Sequence, residues 1–586
     1  MGWRDRRQDG MRISIDVGIE ADDGLVLRAD VFRPDDGEVH PVILSYGPYA
    51  KLAHFADGSP FQWQRMTEEF PETAQGTSNT YQAWEVVDPE KWVPEGYAVV
   101  RVDSRGAGRS PGHLDLLSPR ETKDLYDCVE WAGTRPWSNG KVGINGISYY
   151  GMNQWQVAAL RPPHLAAICI WEGASDLYRD MFWHGGIYCT FGEVWFGGRV
   201  VPGQHGVGSR GLRSRLTGDW VAGPPTLPNE VLEANRSNFA REALQHPTFD
   251  EYWQARVPDL SEIEVPLLSA GNWGGAGLHL RGNVEGYLGA GSTQKWLEVH
   301  GLQHWTHFYT DYGVALQKRF FGHFLKGEDT GWDEQPPVQL QIRHPGEQFV
   351  QRDEQEWPLS RTQWTRFHLH PAGMRLAIEK PSEAAMQSYA GLGPGLTFLT
   401  DPVDEEMEIT GPSSVHLRVS SGSADADVFV VLRLIGPDLR EVTFHGANEP
   451  HSPIAQGWLR ASHRKIDPER SQPYRPWHTH DEVQPLTPEE PVDLDIEVWP
   501  TSIVVPPGHR LALSIRGCDY MWPGAEPKSL PEFGRGATAG AAFTGVGPFR
   551  HSNGADRPPE TAGGLTTLHW DPEDPPYVLL PVIPSG

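Results

Sequence analysis

The sequence has few cysteines and no CxxC pair. Its 586 residues include only 4 Cys, at positions 128, 169, 189 and 518. A disulfide framework would be unusual at this density, so we expect a reducing compartment. The sequence therefore predicts a cytoplasmic protein.

Long apolar runs and an excess of positive charge are also missing. No run approaches the roughly 18 apolar residues of a membrane-spanning helix. The opening stretch MGWRDRRQDGMRISIDV has no apolar core of the kind found in a secretory signal. The net charge of -27 would repel nucleic acid and anionic membrane surfaces. We therefore predict neither a nucleic-acid partner nor membrane association.

The chain is instead long, and rich in glycine, proline and tryptophan. It has 64 Gly, 51 Pro and 23 Trp, which suggests many loops and an aromatic-rich interior or pocket. Its mean hydropathy of -0.47 is that of a globular protein. Because 586 residues exceed what one hydrophobic core usually supports, we expect two or three domains.

Residues 1–178 alternate short apolar runs with helical patterns. The predicted strands lie at 41–49, 96–106, 142–146 and 166–173. Helical spacing separates them at 121–137 and 149–160. Strands that alternate with helices indicate a doubly wound, mostly parallel sheet covered on both faces. In such sheets function gathers in the loops at the carboxyl ends of the strands.

The rest of the chain divides into three segments that differ in their sequence patterns. Residues 179–257 lose the strand rhythm and are interpreted as a helical cap inserted into the sheet domain. The sheet pattern resumes in residues 258–330, with predicted strands at 264–273 and 295–305. Residues 331–586 carry β-rich runs punctuated by proline and glycine, which fits an all-β sandwich or jelly roll.

Ser148 lies where a predicted strand meets a predicted helix, within VGINGISYYG. A sharp turn there would lift its hydroxyl above the sheet and set the N–H of Tyr149 at a helix N-terminus, ready to stabilise an oxyanion. Gly146 and Gly151 supply the small residues that such a turn needs. A serine that merely caps the helix is the alternative. We predict that Ser148 is a nucleophile.

This motif carries a family resemblance. VGINGISYYG, with VDSRGAGRSPG and YDCVEWAGTRPWSNG before it, resembles the family of cocaine esterase, α-amino-acid ester hydrolases and X-Pro dipeptidyl peptidases. The likeness extends over nearly the whole chain. It implies an α/β-hydrolase domain with an inserted helical cap and a C-terminal jelly roll. It also implies a serine hydrolase that works through an acyl-enzyme on Ser148.

The resemblance implies two further functional groups. One is a second oxyanion donor, the hydroxyl of Tyr49 in GPYAK, with Tyr46 as the alternative. A phenol O–H is polarised but stays protonated near neutral pH. The other is a histidine after the last core strand, where His304 fits best and His300 is the alternative. As general base, His304 would take the proton of Ser148 and return it to the leaving group.

The acid departs from the family pattern. Relatives supply an Asp at a G-W-Y-D-like strand end, whereas AGNWGGAG places Gly274 there. Glu172, at the end of the neighbouring strand AAICIWEG, is predicted to orient His304 instead. The chain order Ser148, Glu172, His304 is the one usual for this fold. The alternatives are Asp176 and a Ser-His dyad without an acid.

The cap aromatics predict an apolar acyl pocket opposite the nucleophile. The predicted pocket residues are Trp171, Trp183, Tyr188, Phe191, Trp195 and Trp273. No cofactor is predicted, because DSRGAGRS lacks the third glycine and the lysine of nucleotide-binding loops. No metal site is predicted either, since His478 and His480 are interpreted as part of a solvated loop.

The predicted reaction is hydrolysis of a small acyl ester, with an amide second, and a homo-oligomer is one option for its assembly. The alternative is an X-Pro dipeptidyl peptidase or α-amino-acid ester hydrolase that recognises a free ammonium. Glu172, Asp176, Asp180 and Glu193 are the carboxylates available for that task. A third reading, suggested by the missing Asp, is an inactive hydrolase that acts as a binding module.

Overall fold

The computed structural model of the chain describes residues 5–523 and 544–584. The N-terminal part consists of β1 (Arg6–Gln8), β2 (Met11–Glu20), β3 (Val26–Pro34), β4 (His40–Gly47), α1 (Phe55–Gly58), α2 (Pro60–Glu69), α3 (Pro89–Trp92), β5 (Ala98–Asp103), α4 (Pro119–Gly133), β6 (Ser138–Ile147), α5 (Tyr149–Ala159) and β7 (Leu165–Trp171). Helix α4 begins after Ser118, whose side chain accepts the N–H of Glu121, a standard N-cap. The strands and helices predicted for this part are therefore present.

The segment after β7 is made of short elements. They are β8 (Trp183–His184), β9 (Ile187–Tyr188), α6 (Phe191–Trp195), α7 (Asn229–Ala234), α8 (Phe239–Gln245) and α9 (Glu251–Gln254). Strands β8 and β9 form a hairpin of their own. Helix α8 is capped by Asn238, whose side chain accepts the N–H of Arg241. These short elements agree with the absence of a strand-helix alternation in the sequence of residues 179–257. The bounds of this segment as a separate cap stay a prediction.

The first sheet then continues. Its later elements are β10 (Leu267–Asn272), α10 (Leu280–Gly289), β11 (Lys295–His300), α11 (Thr306–Tyr309), α12 (Asp311–Phe321), β12 (Val338–His344) and β13 (Gln348–Glu354). The strand order is β1-β2-β3-β5-β4-β6-β7-β10-β11-β12-β13. From β5 to β12 neighbouring strands pair in parallel. The carboxyl ends of β6, β7, β10 and β11 therefore meet at one edge.

Strands β12 and β13 lie beyond residue 331, the predicted start of the C-terminal domain. Val338–His344 nevertheless pairs in parallel with β11, and Gln348–Glu354 pairs antiparallel with it in turn. The division into domains stays a prediction, but the hydrolase sheet extends past the predicted boundary. The alternating pattern of this hairpin predicts two strands, but it does not determine which sheet they join.

The C-terminal part is all-β, as predicted. Its elements are β14 (Gln363–His370), β15 (Arg375–Ala377), β16 (Ala385–Ala390), β17 (Leu396–Leu399), β18 (Met407–Ser421), β19 (Asp427–Ile435), β20 (Glu441–Val442), β21 (Ala455–Arg460), β22 (Val492–Val505), β23 (Arg510–Arg516), α13 (Pro559–Ala562), β24 (Leu565–Trp570) and β25 (Tyr577–Ile583). Strand β18 pairs with both β22 and β25. The path through β21, β19, β23, β17, β15 and β14 thereby closes on itself, consistent with a jelly roll.

Successive side chains along a strand point to opposite faces of the sheet and so enter different hydrophobic cores. In β4, Ile43 packs into one cluster while Val42 and Leu44 pack into the cluster on the opposite face of the sheet, as the period of two requires. In β19, the fully buried Val428 and Val430 point into the interior of the C-terminal domain. The predicted fold class is confirmed by this architecture. Among the described residues, no helix combines the length and apolar character needed to cross a bilayer.

Candidate active site

Ser148 lies at a strained strand-to-helix turn. Its backbone has φ 59 and ψ -115 between β6 and α5, a conformation that is rare for a residue with a side chain. Its N–H donates to the carbonyls of Trp171 at 3.0 Å and Glu172 at 3.2 Å. A Cβ at Gly151 would come within 2.8 Å of the Trp171 carbonyl oxygen. The turn can therefore form only because position 151 has no side chain.

Three other residues of this region share the unusual backbone. Glu172 has φ 45, Glu85 has φ 63 and Leu302 has φ 70. Left-handed backbone costs on the order of 1–3 kcal/mol per residue and is concentrated at functional sites in folded proteins. Each of the three residues contributes a group to the hydrogen-bond network described below. The strain thus marks one region of the molecule.

The Ser148 hydroxyl contacts His279, a residue that the sequence analysis did not consider. The distance between Ser148 Oγ and His279 Nε2 is 3.1 Å. The Ala174 N–H lies 3.2 Å from Nδ1 of the same ring, so Nδ1 is the acceptor and Nε2 carries the proton. Burial and the charge of His304 lower the pKa of His279 well below its ordinary value. His279 is therefore a neutral ring that donates to Ser148 Oγ.

His304 lies behind His279 and is held by two carboxyl groups. The two imidazole rings stack with centroids 5.2 Å apart and an interplanar angle of 15°. Nδ1 of His304 is 2.8 Å from Oε2 of Glu172, and its Nε2 is 2.9 Å from Oε1 of Glu85. The carboxylate predicted to partner this histidine is thus in contact with it.

The electrostatics of this pair follow from burial and charge. Burial opposes charging of His304, but Glu172 and Glu85 outweigh it and raise the pKa of His304 to about 10. Burial likewise opposes ionisation of Glu172, but His304 and His300 lower its pKa to about 2. Burial raises the pKa of Glu85, against the effect of the same imidazole. In this arrangement His304 is an imidazolium between Glu172 and Glu85.

Glu172 is oriented by a second set of donors. Asn272, at the end of β10, directs Nδ2 to Oε1 of Glu172 at 3.2 Å and to the Leu302 carbonyl at 2.9 Å. His300 Nε2 is 3.5 Å from the same Oε1, while Nδ1 of that ring bonds Glu298 at 2.7 Å. The alternative base His300 therefore faces Glu172 and Glu298.

Two sequence models match consecutive parts of the chain. One, described as X-Pro dipeptidyl-peptidase (S15 family), covers residues 23–309. The other, described as the X-Pro dipeptidyl-peptidase C-terminal non-catalytic domain, covers residues 330–552. The chain belongs to this family. The family resemblance predicted from the motifs is thereby confirmed, and the chain is a serine hydrolase of the esterase or peptidase type.

Individual relatives agree with this membership. The cocaine esterase of Rhodococcus sp. (strain MB1 Bresler) is 24% identical, over 97% of this chain and 98% of its own length. The crystal structure of a CocE/NonD family hydrolase from Staphylococcus aureus superposes with a TM-score of 0.81 at 29% identity, covering 98% of this chain and 94% of that one. An aminopeptidase from a marine sediment Thaumarchaeota archaeon shares the fold, with a TM-score of 0.69 at 17% identity over 99% of this chain and 98% of that one.

The place of the Asp implied by the resemblance is occupied by another part of this chain. A Cβ at Gly274 would lie 2.6 Å from Cα of Gly446 and 2.7 Å from the carbonyl oxygen of His445. The Ala447 N–H donates to the Gly274 carbonyl at 2.8 Å, and the His304 N–H donates to the Ala447 carbonyl at 3.2 Å. A backbone loop of the C-terminal domain thus fills the space that an Asp side chain would need.

The two predicted oxyanion donors have different surroundings. The Tyr49 hydroxyl accepts the indole N–H of Trp195 at 2.9 Å, which leaves its own proton free to donate elsewhere. Burial, with Glu85 nearby, raises the pKa of Tyr49 well above its ordinary value, so the phenol keeps that proton. The N–H of Tyr149 lies in the first turn of α5, where the helix supplies no carbonyl partner. Tyr46 accepts the Arg105 N–H at 3.4 Å instead.

The six predicted pocket aromatics fall into three clusters. Trp183, Tyr188, Phe191 and Trp195 pack in the same cluster as Tyr149. Trp195 stacks on the Tyr149 ring at a centroid distance of 6.0 Å. Trp171 and Trp273 belong to two other clusters, where Trp273 donates to the Gln341 carbonyl at 2.8 Å. Their roles in substrate binding stay predictions.

A cavity of about 350 Å³ lies beside Tyr49 and Tyr150. Its wall includes Trp84, Leu212 and Arg199, whose guanidinium carbon is 4.7 Å from the centre of the Trp84 ring. None of the described residues that line it is an Asp or a Glu. The sequence analysis did not predict this wall, because its residues come from loops far apart in the chain.

The carboxylates available for reading an ammonium are engaged in other contacts. Asp176 pairs with Arg179 at 2.6 Å, and Asp180 pairs with Arg281 at 2.9 Å. Glu193 accepts the side-chain N–H of Asn553 at 3.1 Å. Each of these carboxylates, like Glu172 with its histidines, is thus held by a partner of its own.

Sequence reasoning missed three site residues and misjudged one loop. His279 precedes α10 in the glycine-rich run GGAGLHLRG, which is the signal that could have found it. Asn272 lies near the end of the predicted strand 264–273, a signal that was overlooked. Glu85 had no comparable signal, because only the fold brings it to His304. The predicted solvated loop is wrong: His480 is buried, with its Nδ1 3.1 Å from Nδ1 of His463.

Proposed function

We propose that this chain is an esterase that cleaves a small acyl ester through an acyl-enzyme on Ser148, with His304 as general base and Glu172 as its orienting acid. The observation that carries the proposal is that Ser148, at its strained turn, lies against a stack of two imidazole rings, those of His279 and His304. Its inner ring, His279, contacts Oγ at 3.1 Å, and its outer ring, His304, contacts a carboxylate at 2.8 Å.

His304 suits the role of base better than His279 does. A base needs an unprotonated ring nitrogen toward the hydroxyl. His279 has its only lone pair committed to the Ala174 N–H, and burial with the charge of His304 lowers its pKa well below its ordinary value, which makes it a weak proton acceptor. Both nitrogens of His304 also face carboxyl groups in this arrangement, but its Nδ1 contact with Glu172 is the one that stabilises the imidazolium formed during attack, once Nε2 has given up its proton.

His304 must exchange its contact with Glu85 for one with Ser148 before it can act as the base. Nε2 of His304 faces Glu85, so the proton between them has to leave and Nε2 has to turn to Ser148. The raised pKa of Glu85 favours this step, since a carboxyl group that accepts the proton becomes neutral and releases the ring. His279 would hold Oγ in place during the exchange by donating to one of its lone pairs.

The rest of the reaction uses groups that surround Ser148. Attack of Oγ on the ester carbonyl forms a tetrahedral oxyanion, for which the Tyr149 N–H and the Tyr49 hydroxyl are the proposed donors. His304 then protonates the leaving alcohol, and the acyl group stays on Ser148. Water attacks this acyl-enzyme with the same imidazole as base, which releases the acid and restores the serine.

We take the cavity beside Tyr49 as the proposed acyl pocket, although Ser148 is not among the residues that line it. As such a pocket it favours an ester of a small acyl group over a substrate with a free ammonium. An ammonium would need a carboxylate partner in the pocket. The 350 Å³ cavity is lined by no described Asp or Glu, and Asp176 and Asp180 are neutralised by arginines. Its volume is at the lower end of the range usual for small-molecule sites.

The test compares substrates and four variants. We expect turnover of p-nitrophenyl acetate or butyrate to exceed that of X-Pro and aminoacyl p-nitroanilides. A fluorophosphonate should label the wild type, and Ser148→Ala should lose both labelling and turnover. His304→Asn should lower kcat by about 10³- to 10⁴-fold, whereas His279→Asn should lower it by about 10- to 10²-fold.

His307→Asn is the matched control, because that buried ring lies three residues after His304, in α11, but contacts Gln341. We expect its kcat to stay within about threefold of wild type. A large loss in His279→Asn with a small one in His304→Asn would move the role of base to His279. Faster turnover of X-Pro or aminoacyl anilides than of every ester would overturn the proposed substrate class.

A further inference from the structure

Three side chains outside the catalytic contacts converge where the cap meets the C-terminal domain. His184 is in β8, Cys189 follows β9, and His551 comes from the loop before α13. All three are buried, and their ligand atoms lie within 4.8 Å of one another. Among the described residues this is the one group of three or more His, Cys, Asp or Glu that meets such a distance. We call it the cap–jelly-roll cluster.

The hydrogen bonds of the two imidazoles leave lone pairs that face each other. His184 Nε2 is 3.0 Å from the Asp180 carbonyl, which can only accept, so Nε2 carries the proton and Nδ1 has a lone pair. His551 Nδ1 donates to the Asp519 carboxylate at 2.7 Å, so that Nε2 is the nitrogen that would carry the lone pair if the ring holds one proton. The two nitrogens are nonetheless 2.9 Å apart. At this distance two facing lone pairs would repel each other, unless a proton lies between them or a cation lies beside them.

Cys189 completes the donor set. Its sulfur is buried, and burial raises the pKa of the thiol, while the Phe191 N–H lowers it. A metal ion would displace the thiol proton, since the thiolate is the ligand. Two imidazoles and one thiolate are donors that zinc prefers.

We propose that His184 Nδ1, Cys189 Sγ and His551 Nε2 bind one zinc ion that ties the cap hairpin to the C-terminal domain. Ligand atoms around a tetrahedral zinc are about 3.3–3.6 Å apart, so the two nitrogens, now 2.9 Å apart, would have to separate slightly when the ion binds. The three side chains would leave the fourth position of the tetrahedron to water. Each histidine also has the outer partner usual for zinc ligands, a carboxylate for His551 and a backbone carbonyl for His184.

The surrounding contacts indicate a structural role for this ion. The Arg460 N–H donates to the Gly185 carbonyl at 2.8 Å, and the Tyr188 N–H donates to Asp556 at 3.0 Å. Both bonds join the same hairpin to the C-terminal domain. Zinc would add a link between residues more than 360 positions apart, and it would stabilise the docked arrangement by binding the folded state alone.

The alternative for the same geometry is a charged His551 without any metal. A doubly protonated His551 between Asp519 and His184 would donate from both ring nitrogens, and Cys189 would then be a bystander. The two cases differ in one way that can be measured. Only the metal site requires the sulfur and both rings at once.

The experiment measures metal content and thermal stability of the full-length chain. The protein is stripped with a chelator, dialysed, incubated with a twofold excess of ZnCl₂, desalted, and assayed for zinc and for its unfolding midpoint. We expect about one zinc per chain and a higher midpoint than in the stripped protein. Replacement of zinc by Co²⁺ should give a thiolate-to-metal charge-transfer absorption.

Cys189→Ser and His184→Gln should lose the bound zinc, the rise in midpoint and the cobalt absorption. Cys169→Ser is the matched control, because this buried cysteine lies in β7, outside the cluster, and it should keep all three. Wild-type protein that retains no zinc would overturn the proposal in favour of the charged His551. Zinc that persists in both cluster variants, or a stoichiometric metal other than zinc, would overturn it equally.

Discussion

The contacts of Glu172 make Glu172→Gln the most informative substitution in this protein. Three groups face its two oxygens: Asn272 Nδ2 at 3.2 Å and His300 Nε2 at 3.5 Å on one side, His304 Nδ1 at 2.8 Å on the other. A glutamine amide directed at His304 would force Nδ1 to accept and put the proton on Nε2, the wrong tautomer for a base. If the amide nitrogen of the glutamine faced Asn272 instead, two N–H donors would point at each other.

The magnitude follows from the charge that is lost. Two unit charges 2.8 Å apart attract by about 6 kcal/mol at an effective dielectric constant near 20. This is an upper bound on the loss, because the amide dipole of glutamine keeps part of the stabilisation. At 1.36 kcal/mol for each factor of ten, we expect kcat to fall by about 10³- to 10⁴-fold, as it does for tautomer-fixing carboxylates elsewhere.

The assay is steady-state hydrolysis of a p-nitrophenyl ester, with KM and the unfolding midpoint measured in parallel. Glu298→Gln is the control, because Glu298 is also a buried carboxylate bonded to a histidine, but its partner is His300. The control should lose less than tenfold in kcat. A folded Glu172→Gln variant with kcat within about threefold of wild type would refute the assignment of Glu172 as the acid for His304.

Three further predictions concern the same site. Glu85→Gln removes one of the carboxylates that raise the pKa of His304, so the acidic limb of the kcat/KM–pH profile should move to lower pH; an unmoved limb would separate Glu85 from the base. Tyr49→Phe should lower kcat by about 10²- to 10³-fold with little change in KM, whereas Tyr46→Phe should stay near wild type; equal losses would remove the oxyanion role. Gly274→Asp should lower the free energy of unfolding by about 1–3 kcal/mol, measured by denaturant titration, without raising kcat, because the C-terminal loop fills that space.

The sharp turn at Ser148 could be predicted because its signal is local. A strand pattern, two glycines, a serine and a helix pattern are adjacent in the chain, and the turn needs all of them within ten residues. The strand-end position of Glu172 was equally visible, since a parallel sheet sends the carboxyl ends of neighbouring strands to one edge. Its contact with His304 follows from that topology.

The stacked arrangement of the two histidines could not be predicted. His279 and His304 come from separate loops, and the 5.2 Å distance between their rings depends on how α10 docks against β10 and β11. The glycine-rich run GGAGLHLRG is the one local signal at His279, and it does not show which imidazole meets Ser148. Glu85 was missed for the same reason, since it reaches His304 from a loop more than 200 residues earlier.

The cap–jelly-roll cluster is a second group of residues that the sequence could not predict, since its members are even farther apart in the chain. Zinc motifs are recognisable in sequences when ligands repeat at short spacings, and His184, Cys189 and His551 do not. The expectation that the chain holds no metal site rested on the interpretation of His478 and His480 as a solvated loop, and it did not consider these three residues. Packing of two domains against each other brings the three side chains together.

By itself, the sequence determined the alternation of strands and helices, the all-β character of the C-terminal part and the sharp turn at Ser148, because each depends on neighbours along the chain. The tertiary structure decided which imidazole meets the serine, why position 274 holds no acid, and where the last hairpin of the hydrolase sheet pairs. Those outcomes depend on distances between segments hundreds of residues apart, which packing sets and local patterns do not record.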